Sequence, residues 1–279
     1  MRRISVEQIK SFEEYLIGEE KAAQTIEKYV RDVKCLVEWL DNRTLDKTSI
    51  VEFKAHLCES YASASVNSVL SSINSFFAYL DWHDLKAKMV KIQRQLFASA
   101  DKELTKKEYE RLLRAAKNDK NERLYLLMQT VCATGIRVSE LRYVTVEAIR
   151  VGHAEINSKG KRRTVFIPAQ LCKELMRYTQ KKHISSGAVF VTRNGNPLDR
   201  SNIWSDMKKL CRSAGVSEKK VFPHNLRHLF ARTYYSIQKD IVRLADILGH
   251  SSVNTTRIYT VESGETHRKQ LQHLGLLLC

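Results

Sequence analysis

The sequence has little of what loop-rich, repeat or disulfide-bonded proteins need. Only 3 of its 279 residues are proline and 10 are glycine, which argues against all-β and repeat architectures and favours long helices. The six cysteines, at positions 35, 58, 132, 172, 211 and 279, include no C-x-x-C pair, so we expect neither a disulfide framework nor a cysteine zinc site. No apolar run approaches the roughly 18 residues of a membrane span, and the first residues lack the apolar stretch of a signal peptide. We therefore predict a cytoplasmic protein with reduced thiols and no membrane partner.

Positive charge is present in excess, but only in the second part of the chain. The 47 Lys+Arg against 31 Asp+Glu give a formal net charge of +16. Residues 1–100 hold 14 basic and 14 acidic side chains, whereas residues 101–279 hold 33 basic and 17 acidic ones. Such one-sided charge indicates a polyanionic partner, most simply nucleic acid. The alternative is a protein whose lysines are merely solvated.

The first hundred residues have the apolar periodicity of four helices. In the fourth, the apolar stripe from Val66 to Leu80 lies opposite an uncharged face that carries Asn67, Ser71 and Asn74. Short polar groups of this kind suit hydrogen bonds to DNA phosphates, although an ordinary solvated face would look the same.

The periodicity fails after residue 81, where a group of basic residues has no acidic neighbours. This group is Lys86, Lys88, Lys91 and Arg94. We predict a helical domain over residues 1–95, a linker over 96–103 and a second domain over 104–279.

The second domain begins with a helix and contains a short β-structure. Thr105 and Glu108 form a capping box at its first helix. Residues 153–168 alternate between apolar and polar, which predicts a β-hairpin with a basic turn, and residues 189–191 predict another short strand. From Ser201 onward the pattern is helical again. The predicted fold class is mainly α with a small antiparallel β-sheet (α+β).

Four segments of the basic part carry residues suited to chemistry on a phosphodiester. In chain order they are Ala133-Thr-Gly-Ile-Arg137-Val-Ser-Glu-Leu141, Lys159 in the hairpin turn, His224-Asn-Leu-Arg227-His228, and the segment from Leu248-Gly-His250 to Tyr259. Cleavage without a metal needs cations beside the non-bridging oxygens, and arginine offers a fixed fork of donors that stays charged. Arg137 and Arg227 are the candidates for this arginine clamp. The alternative for each is a surface or helix-capping arginine.

The histidines permit two interpretations. His224 and Arg227, three residues apart, share a helix face beside the expected phosphate. His224 and His228 also have the spacing of a zinc-binding helix, but no glutamate follows His224 and no third ligand is evident, so we predict no metal. His250 would donate a second hydrogen bond to the phosphate, or it is a plain helix-terminal histidine.

Taken together in this order and spacing, the four segments resemble the tyrosine recombinase, or phage-type integrase, family. The similarity covers roughly residues 105–265, while the first hundred residues are similar to the SAM-like core-binding domain of Xer-like members in length and pattern only. The resemblance implies that Tyr259, nine residues past His250, is the nucleophile. A free phenol has a pKa of about 10, and we expect the arginines and a histidine to ease its ionisation. The alternative is a core tyrosine.

The resemblance assigns further roles around this set. Lys159 would protonate the departing 5′-oxygen, with a plain phosphate contact as the alternative. Glu140 would orient a clamp residue, and His228 would support the site. The expected DNA contacts are Arg2, Arg3, Asn67, Ser71, Asn74, Lys86, Lys88, Lys91, Arg94, Lys161, Arg162 and Arg163.

The implied reaction uses neither a metal nor another cofactor. The tyrosine forms a 3′-phosphotyrosyl bond with DNA, and two strand exchanges pass through a Holliday junction. The implied partners are double-stranded DNA with a specific site and a homo-tetramer, or a tetramer shared with a related second recombinase, in which the C-terminal tail helix docks on the neighbouring subunit. Integration, excision or inversion of a DNA element is the expected role. Xer-type chromosome dimer resolution, a type IB topoisomerase and a catalytically silent DNA-binding regulator remain as alternatives.

Overall fold

The structure is a computed structural model that describes residues 2–41, 43–92, 102–158, 161–192 and 194–259. The chain divides into two compact units, Met1–Arg94 and Gln95–Cys279, each with its own hydrophobic core. The predicted fold class, mainly helical with a small antiparallel sheet, is confirmed. Within the described ranges, no helix is both long and apolar enough to cross a bilayer.

Four helices and a short 3₁₀ turn form the first unit. They are α1 (Val6–Gly18), α2 (Ala23–Leu40), α3 (Lys47–Ser60) and α4 (Ser63–Tyr79), followed by the 3₁₀ turn His83–Leu85. Ser5 and Asp46 begin α1 and α3 with capping boxes, which satisfy free backbone donors at the helix starts. The apolar residues of each helix recur at helical spacing and meet in one core, as the periodicity predicts.

The polar face of α4 is used inside the unit, where Asn67 and Asn74, the predicted DNA contacts, bind the chain that follows the helix. The Asn67 amide donates to the Val90 carbonyl at 2.9 Å and accepts from the Val90 N–H at 2.7 Å. The Asn74 amide forms the same pair with Ala87, at 2.9 and 2.8 Å. These bonds fasten residues 86–90 along the helix, because each amide matches the donor and acceptor of one backbone residue. Ser71, in contrast, is exposed.

The predicted basic contacts of this unit have different surroundings. Arg2 donates to both carboxylate oxygens of Asp84, at 2.7 and 2.6 Å, so its guanidinium is already paired. Arg3, Lys88 and Lys91 are exposed, and Lys86 is partly exposed. The proposed DNA contact of Arg2 would therefore compete with an existing ion pair.

The second unit surrounds a two-stranded sheet with helices. These are α5 (Lys106–Asn118), α6 (Glu122–Thr134), α7 (Val146–Val151), α8 (Ala169–Lys181), α9 (Arg200–Ala214), α10 (Pro223–Gln238), α11 (Ile241–Leu248) and α12 (Val253–Thr256), with 3₁₀ turns at Val138–Tyr143 and Arg257–Tyr259. Strands β1 (His153–Ser158) and β2 (Lys161–Phe166) pair antiparallel, with Ala154 opposite Val165, so the predicted hairpin is confirmed.

The predicted strand at residues 189–191 is wrong. This part of the chain makes only isolated bridges, between Thr145 and Ala188 and between Val191 and Pro197. The apolar side chains of Val189 and Phe190 are nevertheless buried in the core. A short buried apolar run has the same sequence pattern as a strand, which explains the wrong prediction.

Several predicted features lie outside the described residues. They are Lys159, Arg94, residues 96–101 of the predicted linker and the tail after Tyr259 with its expected docking on a neighbour.

Candidate active site

Three helix ends and one 3₁₀ turn bring together the predicted catalytic residues that the structure describes, which are all of them except Lys159. Helix α6 ends at Gly135, whose φ of +65° and close contact with Phe230 leave no room for a side chain. The chain then turns and presents Arg137. The first turns of α10 carry His224, Arg227 and His228, the turn after α11 carries His250, and the final 3₁₀ turn carries Tyr259.

Arg227 is a buried cation at the centre of the site. Its side chain is 1% exposed, and it donates from Nη1 to the Gly135 carbonyl at 2.6 Å and from Nη2 to the Leu248 carbonyl at 2.7 Å. Its Nε is buried and has no partner among the described residues. Burial and the charge of Arg137 lower the pKa of Arg227 to about 10, so it remains charged at neutral pH. Its hydrogen-bond partners among the described residues are neutral, and a buried cation without a paired anion favours the approach of one.

Glu140 ties the second clamp arginine to β2. It is 3% exposed and accepts from the backbone N–H and Nη1 of Arg137, both at 2.9 Å, and from Nη2 of Arg163 at 2.5 Å. Burial favours a higher pKa for Glu140, but the Arg137 N–H and the charges of Arg163 and Arg137 outweigh it and lower the pKa. Glu140 is therefore an ionised partner of Arg137, which is the contact that its predicted orienting role requires.

Arg163, which the sequence predicts as a DNA contact, is paired with protein groups in this structure. Its side chain is turned inward, forms the ion pair with Glu140 and donates to the Ile247 carbonyl. The neighbouring Arg162 is exposed, as expected for a DNA contact, because successive residues of a strand point to opposite faces. The side chain of Lys161 lies outside the described part of the hairpin.

The hydrogen bonds of His250 fix its protonation. Its Nε2 lies 3.1 Å from Nη2 of Arg227 and its Nδ1 lies 2.8 Å from Oγ1 of Thr256. Since arginine has only donors, Nε2 accepts and Nδ1 carries the proton. Burial and the charges of Arg227 and Arg137 lower the pKa of His250 to about 4. In this structure His250 is thus an acceptor toward the clamp, whereas the sequence predicts a donor toward a phosphate.

His224 and His228 extend the site along α10. Their ring centroids are 4.5 Å apart, and the His228 ring lies edge-to-face with the Tyr259 ring at 5.1 Å. Burial and the neighbouring His224 lower the pKa of His228 to about 4, and burial and Arg227 lower the pKa of His224. Across the described ranges, no group of three or more His, Cys, Asp or Glu residues is arranged to hold a metal ion.

Tyr259 contacts the imidazole rings of His228 and His250 and forms a hydrogen bond with Arg227. It is 5% exposed, and its ring stacks on His250 at a centroid distance of 6.2 Å and an interplanar angle of 19°. Burial raises the pKa of Tyr259, while Arg227, by charge and hydrogen bonding, and Arg137 act to lower it. The expected effect of the arginines is present but smaller than the effect of burial, so the group is a protonated phenol at neutral pH.

Sequence reasoning missed the residues that support this set. Thr256 forms a hydrogen bond with His250 and so orients its ring. Arg163 points inward and connects Glu140 with the end of α11. No local pattern marks Thr256, because its role depends on how the chain turns after α11. The alternation of strand residues offers a signal for Arg163, since it places Arg163 on the same face as the buried Val165.

Comparison with known families covers both units. Residues 102–265 match the phage integrase family, and residues 9–84 match the phage integrase N-terminal SAM-like domain.

Relatives align over nearly the whole chain. Tyrosine recombinase XerA of Thermococcus kodakarensis is 32% identical over 282 residues, which cover 97% of this chain and 96% of the relative. Tyrosine recombinase XerD of Listeria monocytogenes is 30% identical, with 90% of this chain and 93% of the relative covered.

Solved structures share the fold. The XerH recombinase bound to palindromic difH substrate, in a post-cleavage complex, gives a TM-score of 0.74 at 19% identity and covers 96% of this chain and 84% of that one. A lambda integrase tetramer bound to a Holliday junction gives a TM-score of 0.74 at 18% identity, with coverages of 91% and 76%. With its predicted catalytic motifs brought close to Tyr259 and its relatives aligned along nearly its full length, this chain belongs to the phage integrase family of tyrosine recombinases, enzymes of site-specific DNA recombination.

Proposed function

We propose that this chain cleaves and rejoins DNA at a specific site with Tyr259 as its nucleophile. The observation that carries the proposal is the proximity of Tyr259 to Arg227, His250 and Arg137. The two guanidinium groups supply charge-assisted donors for the non-bridging oxygens, whose negative charge grows as the phosphorus is attacked.

The step balances with groups of this chain. The Tyr259 oxygen forms a bond to phosphorus, the bond from phosphorus to the 5′-oxygen breaks, and a 3′-phosphotyrosyl bond and a free 5′-hydroxyl result. The phenol proton goes to the imidazole of His228, which its low pKa keeps neutral at neutral pH and whose buried Nε2 has no partner among the described residues. By family resemblance, Lys159 gives a proton to the departing 5′-oxygen. A 5′-hydroxyl of the partner strand then reverses these steps.

The assembly is inferred from related proteins. The XerH structure contains a difH substrate, and the lambda integrase structure is a tetramer on a Holliday junction. We infer that this chain forms a homo-tetramer on two double-stranded sites, with a related second recombinase as the alternative partner. Because the substrate is DNA, we place the protein in the cytoplasm.

The test is the formation of a covalent adduct in EDTA. A nicked suicide duplex, which carries a candidate site from the DNA flanking the gene, is incubated with the protein and separated on a denaturing gel. We expect an adduct with the wild type and none with Tyr259→Phe. Tyr235→Phe is the matched control, since Tyr235 packs against the same small cluster as Tyr259. No adduct despite tight binding of this DNA would favour the DNA-binding regulator.

An assay of strand exchange then distinguishes a recombinase from a topoisomerase that only relaxes supercoiled DNA. Two copies of the site on one plasmid should give deletion when they are direct repeats and inversion when they are inverted repeats. Relaxation of supercoils without exchange would indicate a type IB topoisomerase. A preference for deletion over intermolecular joining would support dimer resolution, and the reverse would support integration.

A further inference from the structure

Three arginines hold three successive carbonyls at the end of α11. Arg163 donates to the carbonyl of Ile247, Arg227 to that of Leu248 at 2.7 Å, and Arg137 to that of Gly249 at 3.3 Å. The last carbonyls of a helix lack partners within the helix, so external donors fix its final turn. Two of these arginines form the predicted clamp, whereas Arg163 belongs to β2.

Arg163 also reaches the clamp through Glu140. Its side chain is only 13% exposed and its Nη2 lies 2.5 Å from Oε2 of Glu140, which holds Arg137 with both carboxylate oxygens. Its aliphatic part lies against Gly249, where an added Cβ would be 2.5 Å from Cδ of Arg163. One side chain thus contacts the group that orients Arg137 and the turn that presents His250.

We propose that Arg163 is a positioning residue for strand cleavage, which locks Arg137 and the His250 turn in one arrangement. This inference rests on the proposed function. By sharing the charge of Glu140, Arg163 also leaves more of the positive charge of Arg137 available to a phosphate. Because both ends of its guanidinium are occupied by protein groups, Arg163 acts on the rate of cleavage and not on the affinity for DNA.

The test measures the cleavage rate and the affinity for DNA separately. Single-turnover adduct formation at saturating suicide substrate gives the rate, and equilibrium binding of an intact duplex gives the affinity. For Arg163→Gln we expect a rate roughly 10–100-fold lower, because a misplacement of about 1 Å in a catalytic group costs on the order of 100-fold, while the affinity for DNA stays close to that of the wild type. Arg177→Gln, the matched loss of one charge at an exposed position of α8, should keep the saturated rate. Equal saturated rates for the two variants would overturn the proposal.

Arg163→Lys distinguishes geometry from charge. Lysine keeps the positive charge but has no fork to span Glu140 and Ile247, so its saturated rate should stay at least about fivefold below that of the wild type. Full recovery with lysine would show that charge alone is sufficient and would overturn the bridging role.

A measurement on the free protein keeps this inference separate from the proposed function. The His250 N–H donates to the Ala245 carbonyl at 3.0 Å, so its hydrogen exchange reports how firmly the turn is held. We expect faster exchange of residues 245–250 in Arg163→Gln than in Arg162→Gln. If the wild type forms no adduct, the proposed function fails while this comparison still decides whether Arg163 holds the turn. Unchanged exchange would overturn the inference.

Discussion

Burial and positive charge act in opposite directions on the titratable residues of the site. Burial raises the pKa of Tyr259 and lowers those of His228 and His250, and the neighbouring arginines lower all three. The result is a set of neutral groups beside charged guanidinium groups. A neutral phenol beside neutral imidazoles can lose its proton during attack without an external base.

The lowered pKa of His228 predicts that the folded state loses stability in acid. The folded value is about 4 against an ordinary 6.5, so between these values the unfolded chain binds a proton that the folded chain does not. This contribution is complete above 6.5 and is lost as the pH falls toward 4. We expect the thermal midpoint to fall from about pH 7 to about pH 4.5, and to fall less in His228→Phe, which keeps a ring against Tyr259. His56→Gln, at an exposed position of α3, is the control. An equal fall in the wild type and His228→Phe contradicts the prediction.

A comparison of Gly135 with Gly152 tests whether close packing requires a glycine at the turn before Arg137. Both end a helix with positive φ, at +65° and +82°. A Cβ on Gly135 would lie 2.5 Å from the Phe230 ring, whereas nothing lies within 4 Å of one on Gly152. Gly152→Ala should therefore lower the free energy of unfolding by about 1–2 kcal/mol through backbone strain. Gly135→Ala should lower it by at least about 1 kcal/mol more, because the ring must also move. Urea unfolding measures both, and equal losses would rule out the contact.

At the scale of elements, α4 binds and fixes the chain segment that follows the 3₁₀ turn His83–Leu85. Asn67 and Asn74 lie two helical turns apart on one face and bind the backbone of Val90 and Ala87. Lys47 and Lys54 of α3 donate to the carbonyls of Lys86 and Lys88. The basic segment is therefore fixed to two helices over residues 86–90.

Removal of one asparagine should loosen this segment. Asn74→Ala deletes two part-buried hydrogen bonds, at about 0.5–1.5 kcal/mol each, so we expect a loss of about 1–3 kcal/mol in the free energy of unfolding. The Ala87 N–H should also exchange faster. Ser71→Ala, at an exposed position of the same helix, should change stability by less than about 0.5 kcal/mol. Similar results for both variants would show that the amide does not hold the segment.

At the scale of the whole molecule, the distribution of charge governs DNA affinity. The excess of basic residues lies entirely beyond residue 100, in the unit that carries the active site. With about 8 phosphates neutralised, the affinity should fall roughly a thousandfold or more between about 50 and 200 mM salt.

Two neighbouring arginines test which side chains contribute to this dependence. In titrations of a random-sequence duplex, Arg162→Gln should reduce the slope of log affinity against log salt by about 1, because an exposed cation releases a counterion from DNA. Arg163→Gln should leave the slope unchanged, because its charge is neutralised by Glu140. A reduced slope for Arg163→Gln would place that side chain on DNA and contradict the inward arrangement.

The sequence by itself determined the helices and the hairpin, and it predicted the candidate catalytic set. Helical and strand periods are local properties of the chain, and Arg137, Arg227, His250 and Tyr259 lie in motifs whose order and spacing are visible along it. Only the tertiary structure decided which polar groups face inward. Asn67 and Asn74 were predicted on DNA, and so was Arg163, yet all three bind protein groups distant in sequence. A polar side chain is satisfied equally by solvent, phosphate or a buried partner, and that choice depends on which chain segments the fold brings beside it.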